Sequence, residues 1–404
     1  MTSENKKSYF KIAIILLMGA FGMMGGSLIA PGLAGLAQPF QVDEAAVGIV
    51  LSVLTISAAL TLPFTGLLID VLGRRYTALS CLVINGFFGM ACIFATSFPM
   101  LLAFRFFQGI GIAALIPIAM TIVSDMYKGA IRLKMIGFLS GTISASQIIV
   151  PSLGGLLAYY NWRYPFIVYS LSLLLAVLFF IFVKDNQDYI EDKKSKKQQN
   201  IRQYLHSIVL VFKYREIREV FIHSFTLYYS LYTISTFVPL LISIKFGATS
   251  TEAGLALALH GFIAVIFSLL AHKLSFWFNW RLKVILGFSF IVLSLVTLPY
   301  WSNLTGVFFS MILYGIGIGL TQPAIFNRVT AKAPDNTKGL VVALFNSMKY
   351  LGMTLAPLTL RFVYTRLGFN YVFFAASLFL IIWILVFGYQ FSMHNKNNSF
   401  QTRV

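Results

Sequence analysis

The stretch Gly66-Leu-Leu-Ile-Asp-Val-Leu-Gly-Arg-Arg75 sets an acid, a glycine and two arginines between two long apolar runs. Up to Asp70, the 25 residues from Ala45 to Ile69 carry no charge and are mostly apolar; about 20 more apolar residues follow from Tyr76. A bilayer's hydrocarbon core takes about 20 such residues per crossing helix. The stretch therefore reads as a very tight polar turn between two membrane-spanning helices.

The rest of the chain agrees. Of 404 residues, 58% are hydrophobic and 11% are charged, where a soluble chain carries about a quarter charged residues. The net charge of +18 does not point to nucleic acid, because the bases cluster in short segments between apolar runs. Uncharged runs and Gly/Pro/Asn punctuation define twelve spans, near 9–30, 45–70, 76–97, 100–123, 134–158, 164–184, 220–244, 252–274, 283–301, 304–327, 339–361 and 369–392. An even number puts both termini on one side. With that side cytoplasmic, inner segments hold 25 Lys and Arg and outer ones four (Arg163, Lys245, Arg361, Arg366), as the positive-inside rule requires. Lys6 and Lys7 ahead of Ile12 to Ala37 imitate a signal peptide, but with so many spans behind them an uncleaved first helix is the better reading. Cys81 and Cys92 share one apolar run and read as small packing residues, with neither a disulfide nor a metal expected.

The polar segment after Lys184 divides the chain into residues 1–184, a basic linker at 185–219, residues 220–394 and a tail at 395–404. The two large parts repeat. Gly109, Gly111 and Pro117 recur as Gly315, Gly317 and Pro323, each 206 positions later, and Gly48, Arg132 and Pro151 recur as Gly254, Lys338 and Pro357. Gly and Pro are common in membrane helices, but one shared offset across three spans is not explained by that. The expected fold is an all-α polytopic membrane protein, with twelve transmembrane helices in two pseudo-symmetric six-helix bundles and a cargo site at their interface.

The opening stretch resembles the loop between helices 2 and 3 of the major facilitator superfamily, G-x-L-a-D-r-x-G-r-k. Gly66, Leu68, Asp70, Gly73, Arg74 and Arg75 fall on the pattern, and Val71 departs from it. The resemblance implies that Asp70 and Arg74, with Asp125 at the end of span 4, form a latch between the bundles that breaks on turnover; ordinary inner-side charge is the plainer alternative. Leu101 to Ala114, LLAFRFFQGIGIAA, is similar to a second family motif through Arg105, Gln108 and Gly109. In span 5, Pro151, Gly154 and Gly155 match the motif g-x-x-x-G-P-x-x-G-G associated with export, while Ser146 and Val150 stand where its first two glycines belong. A packing kink would use the same residues. The closest likeness is to the drug/proton antiporter branch.

No Asp or Glu lies in the middle of any span, so Arg105 and Lys349 lack an intramembrane carboxylate. A charge at mid-helix costs about 2.5–3.5 kcal/mol on insertion scales, which suggests that an anionic cargo supplies the counter-charge; bonding to helix carbonyls, or snorkelling to water, is the alternative. His260 is the mid-span group whose unperturbed pKa lies near physiological pH, making it a candidate proton carrier or a neutral hydrogen-bonding group. Ser27, Gln147, Tyr229, Tyr232, Gln322, Asn346 and Tyr350 are polar or amphipathic groups in the helices that line the cavity in the family. No H-E-x-x-H, G-x-S-x-G, P-loop or metal-ligand spacing occurs, so no enzyme, cofactor or metal is expected. The resemblance implies an exporter of small organic molecules in a bacterial cytoplasmic membrane. It would be driven by protons and work as a monomer, with lipid and a small-molecule substrate as its partners. Anion uptake on the same fold is the second reading, and a receptor or polytopic enzyme a remote third.

Overall fold

The computed structural model describes residues 3–183, 208–274, 278–332 and 338–401. The expected linker thus lies outside the described residues as far as position 207, as do residues 402–404 of the tail.

Twelve helical spans are present among the described residues: α1 (Phe10–Phe40), α2 (Glu44–Phe64), α3 (Arg74–Phe94), α4 (Phe98–Met126), α5 (Gly129–Tyr160), α6 (Tyr164–Phe182), α7 (Arg215–Phe246), α8 (Ser250–Ala271), α9 (Trp280–Tyr300), α10 (Leu304–Val329), α11 (Gly339–Leu367) and α12 (Phe369–Gly388). Helix is the form that satisfies every backbone N–H and C=O within one segment, which hydrocarbon demands. Several boundaries differ from expectation: α7 begins at Arg215, inside the expected linker, and α11 runs on to Leu367; two further differences have clear local reasons. Span 1 does not stop near residue 30; it tightens into a 3-10 segment at Ala30–Leu36, where Pro31 lacks an N–H, and continues to Phe40. Span 2 breaks at the 3-10 turn Leu62–Phe64 and resumes as a short helix, Thr65–Leu72. That helix ends at Gly73, whose φ of 84° and ψ of 159° belong to a region open essentially to glycine alone.

Helices α1–α6 and α7–α12 form two bundles joined along two seams, α5 with α8 and α2 with α11. Their pseudo-symmetry extends to atomic contacts. In the first bundle Gly109 lies against the Leu54 carbonyl and Ser57, and Gly111 against the Cys81 carbonyl and the Asn85 amide. In the second, Gly315 lies against the His260 carbonyl and Ile263, and Gly317 against the Gly287 carbonyl and the Ile291 amide. Every residue of the second set stands 206 positions after its counterpart in the first. The seams obey the same relation: Gly48 of α2 meets Pro357 of α11, while Gly254 of α8 meets Pro151 of α5. Small residues let these backbones touch, where association in lipid rests on close packing.

Candidate functional site

The side of the molecule away from the termini is closed. Gly155 packs on Gly254, and the Ser250 hydroxyl donates to the Gly155 carbonyl at 2.9 Å. Across the other seam the Ser52 hydroxyl donates to the Thr354 carbonyl at 2.9 Å, and Thr55 and Thr354 share a hydroxyl pair at 2.9 Å. Tyr364 donates to the Glu44 carboxylate at 3.3 Å at the edge farthest from the termini. Of the span 5 motif, Gly155 and Pro151 therefore sit on the seam to α8, and Gly154 packs on the Leu28 backbone of α1.

Beneath this closure, toward the side of the termini, lie two adjoining cavities between the bundles. The larger measures about 330 Å³ and the smaller about 90 Å³. Met23, Gln147, Leu227, Tyr228, Gln322, Lys349 and Tyr350 line both. Asn346 lines the larger, and Ser27, Tyr232 and His260 the smaller. Eight expected cavity residues are thus brought together.

Lys349 dominates the electrostatics, because it is the one Lys, Arg, Asp or Glu among the described residues lining either cavity. Its ammonium makes no hydrogen bond or ion pair among the described residues; it lies 5.1 Å from the centroid of the Tyr228 ring and 5.1 Å from that of Tyr350. Tyr228 is held by the Gln322 side-chain amide, which donates to its hydroxyl at 3.0 Å. Sequence reasoning chose Tyr229 and overlooked Tyr228. The signal was there in the spacing: 228 and 232 share a helix face at i, i+4, and 229 points about 100° away. Tyr229 instead bonds Thr359 at 2.8 Å and packs on Phe379, lining neither cavity.

Arg105 and Gln108 also lie elsewhere than expected. Arg105 is fully buried inside the first bundle and lines neither cavity. Where α1 passes from α-helix to 3-10, the Ile29 amide bonds the Gly26 carbonyl and leaves that of Gly25 without its usual i+4 donor. Arg105 donates to that carbonyl, and the Tyr169 hydroxyl does so at 3.1 Å. Arg105 also donates to Gln108 at 2.7 Å, Gln108 to Asn85 at 3.1 Å, and Asn85 to Ser172 at 3.2 Å. The counter-dipoles of this cation are helix carbonyls and amides spread over α1, α3, α4 and α6, not a cargo.

In the opening stretch, Arg74 pairs with Asp125, tying the start of α3 to the end of α4 within one bundle. Arg75 donates to the Phe180 carbonyl at 2.6 Å and covers the Phe180 ring. The Asp70 side chain lies outside the described residues, and Gly66 has open space around it. The second bundle has a pairing that sequence reasoning missed: Glu216 of α7 meets Arg328 at 3.1 Å and Lys332, just beyond the end of α10, at 3.2 Å.

A family model described as Major Facilitator Superfamily matches residues 15–357. The chain is 26% identical to the Bacillibactin exporter of Bacillus subtilis, over 83% of this chain and 85% of that one. It is 24% identical to the class H tetracycline resistance protein of Pasteurella multocida, over 88% and 89%. Among solved structures, the nucleoside transporter NupG superposes with a TM-score of 0.79 at 16% identity, covering 95% of this chain and 99% of that one.

Proposed function

We propose that this chain, which belongs to the major facilitator superfamily and is a transporter rather than an enzyme, exports small organic anions or zwitterions by alternating access, coupled to protons. The observation that carries the reading is Lys349. A cation facing a cavity with no acidic side chain among its described lining is costly unless something else supplies negative charge. Exporters among the relatives and the partial motif at Pro151, Gly154 and Gly155 favour outward flux.

With the basic segments inside, the termini face the cytoplasm of a bacterial cell and the chain works as a monomer, residues 1–184 and 220–394 rocking about the linker. The cavity then opens to the cytoplasm, ready to load, beneath a closed outer seam. Asp70, Arg74 and Asp125 serve the inner latch, Arg74 exchanging partners as that end closes. Either His260 or the cargo's own ionisable group carries the proton. Efflux of an anionic cargo from loaded cells tests the reading: Lys349→Gln abolishes it and Lys349→Arg retains part. Unchanged efflux of every anion in Lys349→Gln would refute it. Collapsing the proton gradient stops net export; flux in inverted vesicles settles the direction, and inward flux would favour an uptake permease.

A further inference from the structure

We infer that the cargo is a planar aromatic carboxylate, its charge on Lys349 and its ring against Tyr228 and Tyr350; this rests on the anion-export reading above. The Lys349 ammonium lies over two tyrosine faces at equal distance, 5.1 Å from each centroid. Both rings are buried, and Gln322 holds Tyr228 in place through its hydroxyl. A carboxylate bound to the ammonium is therefore delivered beside two buried rings, one of them fixed in orientation. Where that carboxylate is attached directly to an arene, the arene reaches the tyrosine faces in offset or edge-on contact, which is favoured beyond the area it buries. A saturated acid of the same charge and bulk makes the ion pair and loses the ring contacts. The cation–π contact that holds the empty ammonium is replaced, not merely lost, when the ring arrives.

The rest of the wall agrees with that class. Phe326 and Phe345 lie edge to face at 6.2 Å, and both line the larger cavity. The hydroxyls of Tyr232 and Tyr350 make no hydrogen bond among the described residues, nor does the Gln147 amide, so all three remain available to polar ring substituents. Cationic cargo has no acidic side chain to meet among the described lining. A volume of about 330 Å³ lies at the small end of ligand pockets and suits one or two fused rings with their substituents.

The test uses the full chain in lipid nanodiscs and equilibrium binding of two matched probes, 2-naphthoate and decahydro-2-naphthoate. They share charge and carbon skeleton, and the saturated one is the more hydrophobic, so burial alone favours the wrong answer. The expected result is about threefold to tenfold tighter binding of 2-naphthoate, the worth of about one ring contact. Tyr228→Phe keeps the preference, Tyr228→Leu brings the ratio toward one, and Lys349→Gln weakens both probes. Equal binding of both probes, lost in Lys349→Gln, overturns the aromatic inference and leaves anion export standing. Binding of neither probe, or of both regardless of Lys349, overturns the two together.

Discussion

Gly254→Ala places a methyl in the seam that closes one side of the cavity. The added carbon would lie 2.6 Å from the Pro151 carbonyl oxygen and 3.1 Å from the Gly155 Cα, both backbone atoms that no rotamer change can move. Ordinary contact begins near 3.4 Å, so α8 and α5 must part by about 0.8 Å there. Overpacking of this kind costs about 1–3 kcal/mol, a shift of roughly 5–150-fold against the closed-seam state. Intrinsic helix propensity works in the opposite direction, since alanine in a helix is favoured over glycine by about 1 kcal/mol. The assay is labelling of Thr354→Cys, on the neighbouring seam, with a membrane-impermeant maleimide applied from outside the cell. Both native cysteines are buried and stay silent. Labelling should rise severalfold or more in Gly254→Ala, and transport should fall because loading needs the closed seam. Wild-type labelling and wild-type transport in a normally expressed variant would show that this contact does not hold the seam.

Arg105→Ala removes the donor from a freed helix carbonyl and from Gln108 within a fully buried network. Hydrogen bonds to charged groups contribute about 1.5–3 kcal/mol, so thermal unfolding in detergent should drop by several degrees while the preference among bound cargoes is unchanged. Gly73→Ala forces a side chain into a positive-φ conformation worth about 1–3 kcal/mol of strain; the same unfolding measurement should register it, and Gly66→Ala, with open space around it, should not.

The fold was legible because hydrocarbon imposes its rule on every residue it touches: an uncharged run long enough to cross the bilayer has little choice but helix. The shared offset of Gly48, Gly109, Gly111, Pro117 and Pro151 with their later counterparts was also readable, because close packing in lipid tolerates few substitutes for glycine. The site was less so. Arg105 and Lys349 look alike in sequence, each a lone base in an apolar span. What separates them is whether a neighbouring helix offers a free carbonyl, and the break in α1 that frees Gly25 depends on how Pro31 and its neighbours settle in three dimensions. Tyr228 was missed beside Tyr229 because adjacent tyrosines in a helix differ only in rotation, and only the i, i+4 pairing of Tyr228 with Tyr232 tells them apart.

The offset of 206 also pairs the residues that face each other across the cavity. Ile143 stands where the second bundle has Lys349, Ser144 where it has Tyr350, and Ser140 where it has Asn346. Ile116 answers Gln322, Leu54 answers His260, and Gly22 and Gly26 answer Tyr228 and Tyr232. One wall is small or apolar at these positions and the other carries the functional groups. At these positions the first wall sets how much room there is and the second what chemistry fills it, while Gln147 opposite Met353 reverses the pattern. Changes at Gly22, Gly26, Ile116 or Ile143 should alter the size of molecule accepted, and changes at their counterparts its kind. Such a transporter can acquire a new cargo by altering one half of its chain while the other keeps the shape of the site.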